Sequence, residues 1–424
     1  MNKSKEGAAT PGKQNDASIV SVGEVLNGSD IDEEAQHILT TGDPITYILD
    51  VFNTIHVSDR AIGELLILSA CSPCIKNVGG IHPKMSGESG KGKSHAGKTM
   101  LHLIPTEFWE QTSLSGKALY YHQIKEGTII FSDDITLSED LESLLRQSTT
   151  NFHTGVEHKT VDINRTGKVL FTPARIVWWL ASVDDELDIQ TLNRQVGVGV
   201  DTSTEADALV LARQLSRAAT GDTEFPENDS VKICREMFGV VKKLCATVII
   251  PYAEKIVWRG GSNRRNLDIF LDMVKLYALV NFKQRKTVCD SDDEYIVVAS
   301  TMDFDRAADL YQDRAETQAT KLTAHELLIR DFLAVHGPAD VSTIAKTVGL
   351  SYHRVRRLLV GGKNGNGGML GKVQGLEVTD MSREAGGGYC RVKEYALVGF
   401  DLLSSYSNIV SLPADVCDDD YVND

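Results

Sequence analysis

The residues Gly87-Glu88-Ser89-Gly90-Lys91-Gly92-Lys93-Ser94 follow the pattern G-x-x-x-x-G-K-[ST]. Glycines so spaced let successive backbone N–H groups turn toward phosphate oxygens. The lysine reaches the outer phosphates, and the hydroxyl after it holds Mg²⁺. A helix opening at the end of the loop adds its positive dipole end. Gly92-Lys93-Ser94-His95-Ala96-Gly97-Lys98-Thr99 fits the same pattern one frame on, so Lys93 and Lys98 compete for the role.

Phosphate chemistry needs a metal ligand, a group that orients water, and a positive charge for the transition state. The run 128–134, Thr-Ile-Ile-Phe-Ser-Asp-Asp, reads as a buried strand ending in two acids. Asp133 suits the Mg²⁺ contact, and Asp134 suits polarising a water. A plain strand-end turn is the structural alternative. A second apolar run, 176–182, ends at Ser182, either a γ-phosphate sensor or a cap. Between the runs, 161–171 alternates around Arg165-Thr166-Gly167-Lys168, a hairpin signal with a basic tip. Arg194 and Arg265 are candidates for the positive charge, or simply surface arginines.

These residues need a scaffold, and the rest of the chain supplies one. At 424 residues, 42% hydrophobic and 24% charged, it has the composition of a globular protein of two or three domains. No apolar stretch approaches the roughly 20 residues that span a bilayer, and the first residues lack the apolar core of a signal peptide. A cytoplasmic protein without membrane contact is expected. Seven cysteines without framework spacing suggest reduced thiols. Cys71 and Cys74 lack the second pair that zinc requires and read as small buried residues at a helix end.

Short apolar strands alternating with helices imply a parallel-sheet α/β domain. Residues 1–40 are polar and aperiodic and read as a disordered arm. Residues 45–70 read as two helices, and 262–315 as a small helical lid. A further helix opens at Thr323, with Glu326 three residues on as a capping box. Short helices and glycine-rich strands up to residue 400 then have the layout of a winged helix-turn-helix. The net charge of -15 argues against a protein coated in nucleic acid, but between 321 and 400 eleven Lys/Arg oppose seven Asp/Glu. Arg354, Arg356 and Arg357 crowd the helix where such a unit grips DNA. The expected divisions are 1–40 (arm), 41–255 (α/β nucleotide-binding domain), 256–318 (lid), 319–402 (winged helix DNA-binding domain) and 403–424 (acidic tail).

In this order the pieces resemble AAA+ ATPases, and most closely the core of the minichromosome maintenance (MCM) replicative helicases. Ile81-His82 followed by 87–94 is similar to that family's strand and phosphate loop. This favours Lys93, as does local physics, since 81–85 makes a strand and 86–91 does not. Segment 112–119 is similar to the part before the Asp133 strand, 165–182 to the pre-sensor hairpin and sensor strand, and 192–215 to the arginine-finger segment. Arg265-Asn266-Leu267-Asp268 resembles the second sensor. The resemblance implies a three-layer αβα AAA+ core with ATP and Mg²⁺. It implies Arg165 and Lys168 facing DNA, and Arg194 and Arg265 acting on a neighbouring subunit's nucleotide in a homo-hexamer. The N-terminal MCM domain is missing, so replication proteins are expected to supply its function. Asp134 stands where Glu is usual, Ser182 where Asn is usual, and Gln195 where Phe is usual.

The expectation is an ATP-dependent DNA helicase acting in replication. Two alternatives stay open: an initiator or helicase loader similar to the archaeal origin-recognition ATPases, and a non-catalytic DNA-binding ring subunit.

Overall fold

The computed structural model describes residues 27–87, 89–111, 124–133, 139–161, 167–182, 191, 193–259, 264–289, 295–320, 322–361, 368–373, 375–385, 388–398 and 409–418. The first described element is α1 (Gly28–Thr41), where Asn27 and Asp30 form a capping box. This corrects the disordered arm expected up to residue 40. Ile31, Ala35, Ile38 and Leu39 lie on one face of α1 and are buried. Four apolar residues in an acidic run were too sparse to signal a helix, but tertiary packing needs only that one stripe.

Next come α2 (Pro44–Ile55), α3 (Arg60–Cys71), β1 (Pro83–Ser86) and α4 (Lys93–His102). They are followed by β2 (Trp109–Gln111), β3 (Ile129–Asp133), α5 (Glu139–Thr150), β4 (Val156–Val161), β5 (Gly167–Thr172), β6 (Val177–Ser182) and β7 (Val196–Gly199). One sheet runs in the order β2-β3-β6-β1-β7, every neighbouring pair parallel. Strands β3 and β6 carry the near-continuous apolar runs Ile-Ile-Phe and Val-Trp-Trp-Leu-Ala that a parallel sheet covered on both faces requires, while β1 buries Lys84 beside Met85. Trp178 and Trp179 show the two faces. Trp178 packs with Leu141, Leu144 and Leu145 of α5, and its indole N–H donates to Ser148 at 2.9 Å. Trp179 enters the main core, and its indole donates to Ser69 of α3 at 2.8 Å. Helices therefore cover both faces of a parallel sheet, the α/β architecture of a P-loop fold. The antiparallel pair β4–β5 stands outside this sheet and immediately precedes β6.

Then follow α6 (Thr204–Thr220), α7 (Asp229–Lys242), β8 (Ala246–Ile249), β9 (Val257–Trp258), α8 (Arg264–Val280), β10 (Thr287–Cys289), β11 (Tyr295–Val298) and α9 (Thr301–Thr320). Two features depart from a purely helical lid over 256–318. A small sheet β10-β11-β8 is interleaved with the helices. Phe270, Phe304 and Tyr311 also share one hydrophobic core with the first domain rather than forming a core of their own. Asp303 is fully buried, and Arg285 holds both its carboxylate oxygens, at 2.6 and 2.7 Å.

The remaining elements are α10 (Ala324–His336), β12 (Ala339–Asp340), α11 (Val341–Val348), α12 (Tyr352–Val360), α13 (Met369–Lys372), β13 (Leu376–Ala385) and β14 (Gly388–Leu397). Thr323 and Glu326 do form the capping box of α10. These helices and the antiparallel sheet β12-β14-β13 enclose a separate core around Ile329, Leu333, Ile344, Val355, Leu359 and Tyr395.

The acidic tail expected at 403–424 is also corrected. Strand β15 (Val410–Ser411) pairs antiparallel with β9, and Ile409, Val410 and Val416 are buried in the main core. Asp418 accepts a 2.7 Å bond from the Thr301 N–H, capping α9. A run of aspartates masked three apolar anchors. Val410→Asp would bury a carboxylate among apolar atoms and is expected to cost about 2–4 kcal/mol. A lowered urea midpoint measures it. No helix among the described residues is long and apolar enough to cross a membrane.

Candidate nucleotide site

The loop lies between β1 and α4. Gly87 (φ 151°) and Gly92 (φ 96°) lie in the region that favours glycine. At Gly87 space adds a second constraint, because a Cβ there would come within 2.6 Å of Val200. Gly92 is the N-cap of α4, so the helix starts at Lys93. Lys98 sits inside that helix, and the frame 92–99 is therefore largely helix rather than loop. Gly97 lets α4 approach β3, since a Cβ there would come within 2.6 Å of the Phe131 ring.

Lys93 is buried, and its ammonium donates to the Gly87 carbonyl at 2.9 Å. The Ser94 hydroxyl donates to the Asp133 carboxylate at the end of β3. Lys98 Nζ lies 3.4 Å from the second Asp133 oxygen. A hydroxyl and a carboxylate meeting beside a phosphate loop are the hard oxygen donors that Mg²⁺ takes, so these residues fit the metal. Ser182 ends β6 in register with Ser86 of β1, while Ala181 pairs with Asp133. It is half-buried, on a strand that lies between β1 and β3.

The other expected site residues are placed elsewhere. Arg194 lies in the turn before β7 and donates to the Thr150 hydroxyl at 3.2 Å. Arg265 is exposed in the first turn of α8. Lys168 lies in β5, its backbone paired opposite Thr160. Arg354 is half-buried on α12, with Arg356 and Arg357 exposed beside it. Glu88, Asp134 and Arg165, and segment 112–119, lie outside the described residues.

A cleft of about 280 Å³ opens beside the loop. Gly90, Lys91 and Gly92 form one wall, residues 56–59 another, and α6 closes it with Val210, Arg213 and Arg217. Lys91 ties the loop to α6 through Asp207 at 2.6 Å. His56 and His95 face each other Nδ1 to Nδ1 at 2.8 Å, so one ring must donate and the other accept. His56 also meets Asp59 at 2.8 Å through Nε2. Burial, reinforced by His56, lowers the His95 pKa to about 4. His95 is therefore neutral near pH 7, and its 3.4 Å approach to Glu224 is not an ion pair there. Sequence reasoning missed this cleft. His95 directly follows the loop in sequence, whereas Asp207 and Arg213 carry no local signal.

The profile of the MTBMA_p00010 P-loop domain family matches residues 29–244. The chain belongs to this P-loop domain family. The matched span starts inside α1, which makes that helix part of the domain, and ends just after α7. An uncharacterized protein of Methanothermobacter marburgensis, MTBMA_p00010, is 24% identical to the chain over 258 residues. That alignment covers 58% of this chain and 31% of the relative. The chain thus spans less than a third of its relative's length. P-loop domains commonly bind nucleotides with Mg²⁺ and hydrolyse them, so membership supports a nucleotide hydrolase in general.

Proposed function

We propose that the chain is an AAA+ ATPase of the MCM-like type, an ATP-dependent helicase that acts on DNA in replication as a homo-hexameric ring. The supporting observation is the β4–β5 hairpin, which precedes β6 and stands outside a sheet in which β6 separates β1 from β3. In this reading Ser182 is the sensor, and the Arg165–Lys168 tip meets DNA. The 322–398 unit is a winged helix that grips DNA with Arg354, Arg356 and Arg357. Arg194 and Arg265 complete the neighbouring subunit's site.

The backbone amides of 87–94 cradle the phosphates. Lys93 exchanges the Gly87 carbonyl for phosphate oxygens, which costs little because the ammonium is already desolvated and aimed into the loop. Ser94 and Asp133 would hold Mg²⁺, which offsets phosphate charge. Asp134 orients the attacking water.

The test is strand displacement on a forked duplex, with Arg165→Ala/Lys168→Ala as the paired variant. Wild type is expected to unwind while the variant hydrolyses ATP without unwinding. ATP hydrolysis with no strand displaced by wild type at any protein concentration would reject the helicase and favour the initiator or loader. For the C-terminal unit, Arg354→Ala/Arg356→Ala is expected to weaken DNA binding and flatten the salt dependence by a slope of about 2. Affinity measured across a salt series checks it.

A further inference from the structure

Helix α6 is amphipathic the wrong way round. Residues 206, 210, 213 and 217 fall on one face, at helical spacing. That face is turned inward: Ala206 is buried, and Val210, Arg213 and Arg217 line the cleft. The opposite face carries Ala208, Leu211, Ala212, Leu215, Ala218 and Ala219, all exposed. Leu211 and Leu215 are 59% and 73% exposed. A surface helix ordinarily turns its apolar stripe to the core and its charges to water. Contiguous exposed apolar stripes of this kind mark interaction surfaces.

A second exposed apolar patch exists on the same chain. Val169 and Phe171, 59% and 55% exposed, alternate along β5 and so share one side of the hairpin. Cross-strand from them on β4 stand Lys159 and Glu157. The outer stripe of α6 carries no ionisable residue, and Glu205, exposed in the first turn, flanks it. A chain of net charge -15 carries a net repulsion between its copies, so an uncharged stripe is where two copies meet at least cost. Lys159 against Glu205 then sets the direction, with Val169 toward the start of α6 and Phe171 further along it.

We propose that a second copy of this chain docks the Val169/Phe171 side of its hairpin on the outer face of α6, head to tail. The inference deepens the ring proposed above and rests on it. Two different patches that complement each other repeat from copy to copy and close into a ring when the rotation allows. The contact would also set the neighbour against the helix that Lys91 ties to the phosphate loop.

Two variants test it: Leu211→Gln/Leu215→Gln on the helix and Val169→Thr/Phe171→Thr on the hairpin. All four side chains are exposed, so both proteins should keep the wild-type urea midpoint. Sedimentation velocity at tens of micromolar, with Mg²⁺ and a non-hydrolysable ATP analogue, gives the mass. Wild type is expected to assemble, each variant alone to stay monomeric, and an equimolar mixture to form dimers and nothing larger. That mixture retains one intact helix face and one intact hairpin face, so a structural defect would not reproduce its dimer. A monomeric wild type, a helix variant that assembles like wild type, or a mixture that stays monomeric would overturn the proposal. So would an association that survives the hairpin change, which would mean helix-on-helix contact or another partner face. Binding of a fluorescent ATP analogue is measured alongside. ATP binding by a monomeric wild type sinks the docking alone, and assembly without ATP binding sinks the nucleotide reading alone.

Discussion

Lys93→Ala is expected to lower ATP hydrolysis by about 100-fold or more, the scale of losing one preorganised charge at a transition state. Lys93 opens α4, is buried, and already points its ammonium back into the loop at the Gly87 carbonyl. Among the described residues no other lysine occupies that position. Lys98 lies in the body of α4, 41% exposed, beside Asp133. Lys98→Ala is therefore the control, with an expected loss below about tenfold. A steady-state phosphate-release assay on both variants measures the difference. Equal losses would move the working lysine to the second frame of the motif. Loss in neither would remove hydrolysis from this loop.

The largest effect on stability is expected from Trp179→Ala, about 3–5 kcal/mol. Trp179 is fully buried between the sheet and α3, and its indole donates to Ser69, whose hydroxyl donates onward to the Ile81 carbonyl at 2.6 Å. Alanine would leave a cavity under the strand that leads to the phosphate loop and remove a donor from a buried hydroxyl. Phe171→Ala, on the exposed side of β5, is expected to change stability by less than about 0.5 kcal/mol. Urea unfolding followed by far-UV circular dichroism compares the two. A small effect at Trp179 would mean that α3 can close onto the sheet without the ring.

What the sequence reveals tracks how local the cause is. The phosphate loop, β3 and β6 are legible because each is a contiguous run whose residue types state their own requirement. Thr323 with Glu326 is legible for the same reason, since a capping box is complete within four residues. Helix α1 and the 409–418 segment were not legible. Their apolar residues are few and acquire meaning only against surfaces far away in the chain, α7 for the first and β9 for the second. The cleft is harder still. Lys91 meets Asp207 across 116 positions, and nothing near either residue announces the pairing. The small sheet β10-β11-β8 was hidden likewise, because β8 and β11 sit on opposite sides of α8 in sequence.

The β9–β15 pairing gives the C-terminal unit the status of an insertion rather than an appendage. The chain leaves the main body at the end of α9 and returns to it at Ile409, so the unit hangs from two anchorages. A nick anywhere in residues 399–408 would leave both fragments held together by the β9–β15 ladder and by Asp418 on α9. In the uncut chain, any pull on the basic helix α12 loads α9 through one anchorage and β9 through the other, as a two-legged hoist loads both its pins.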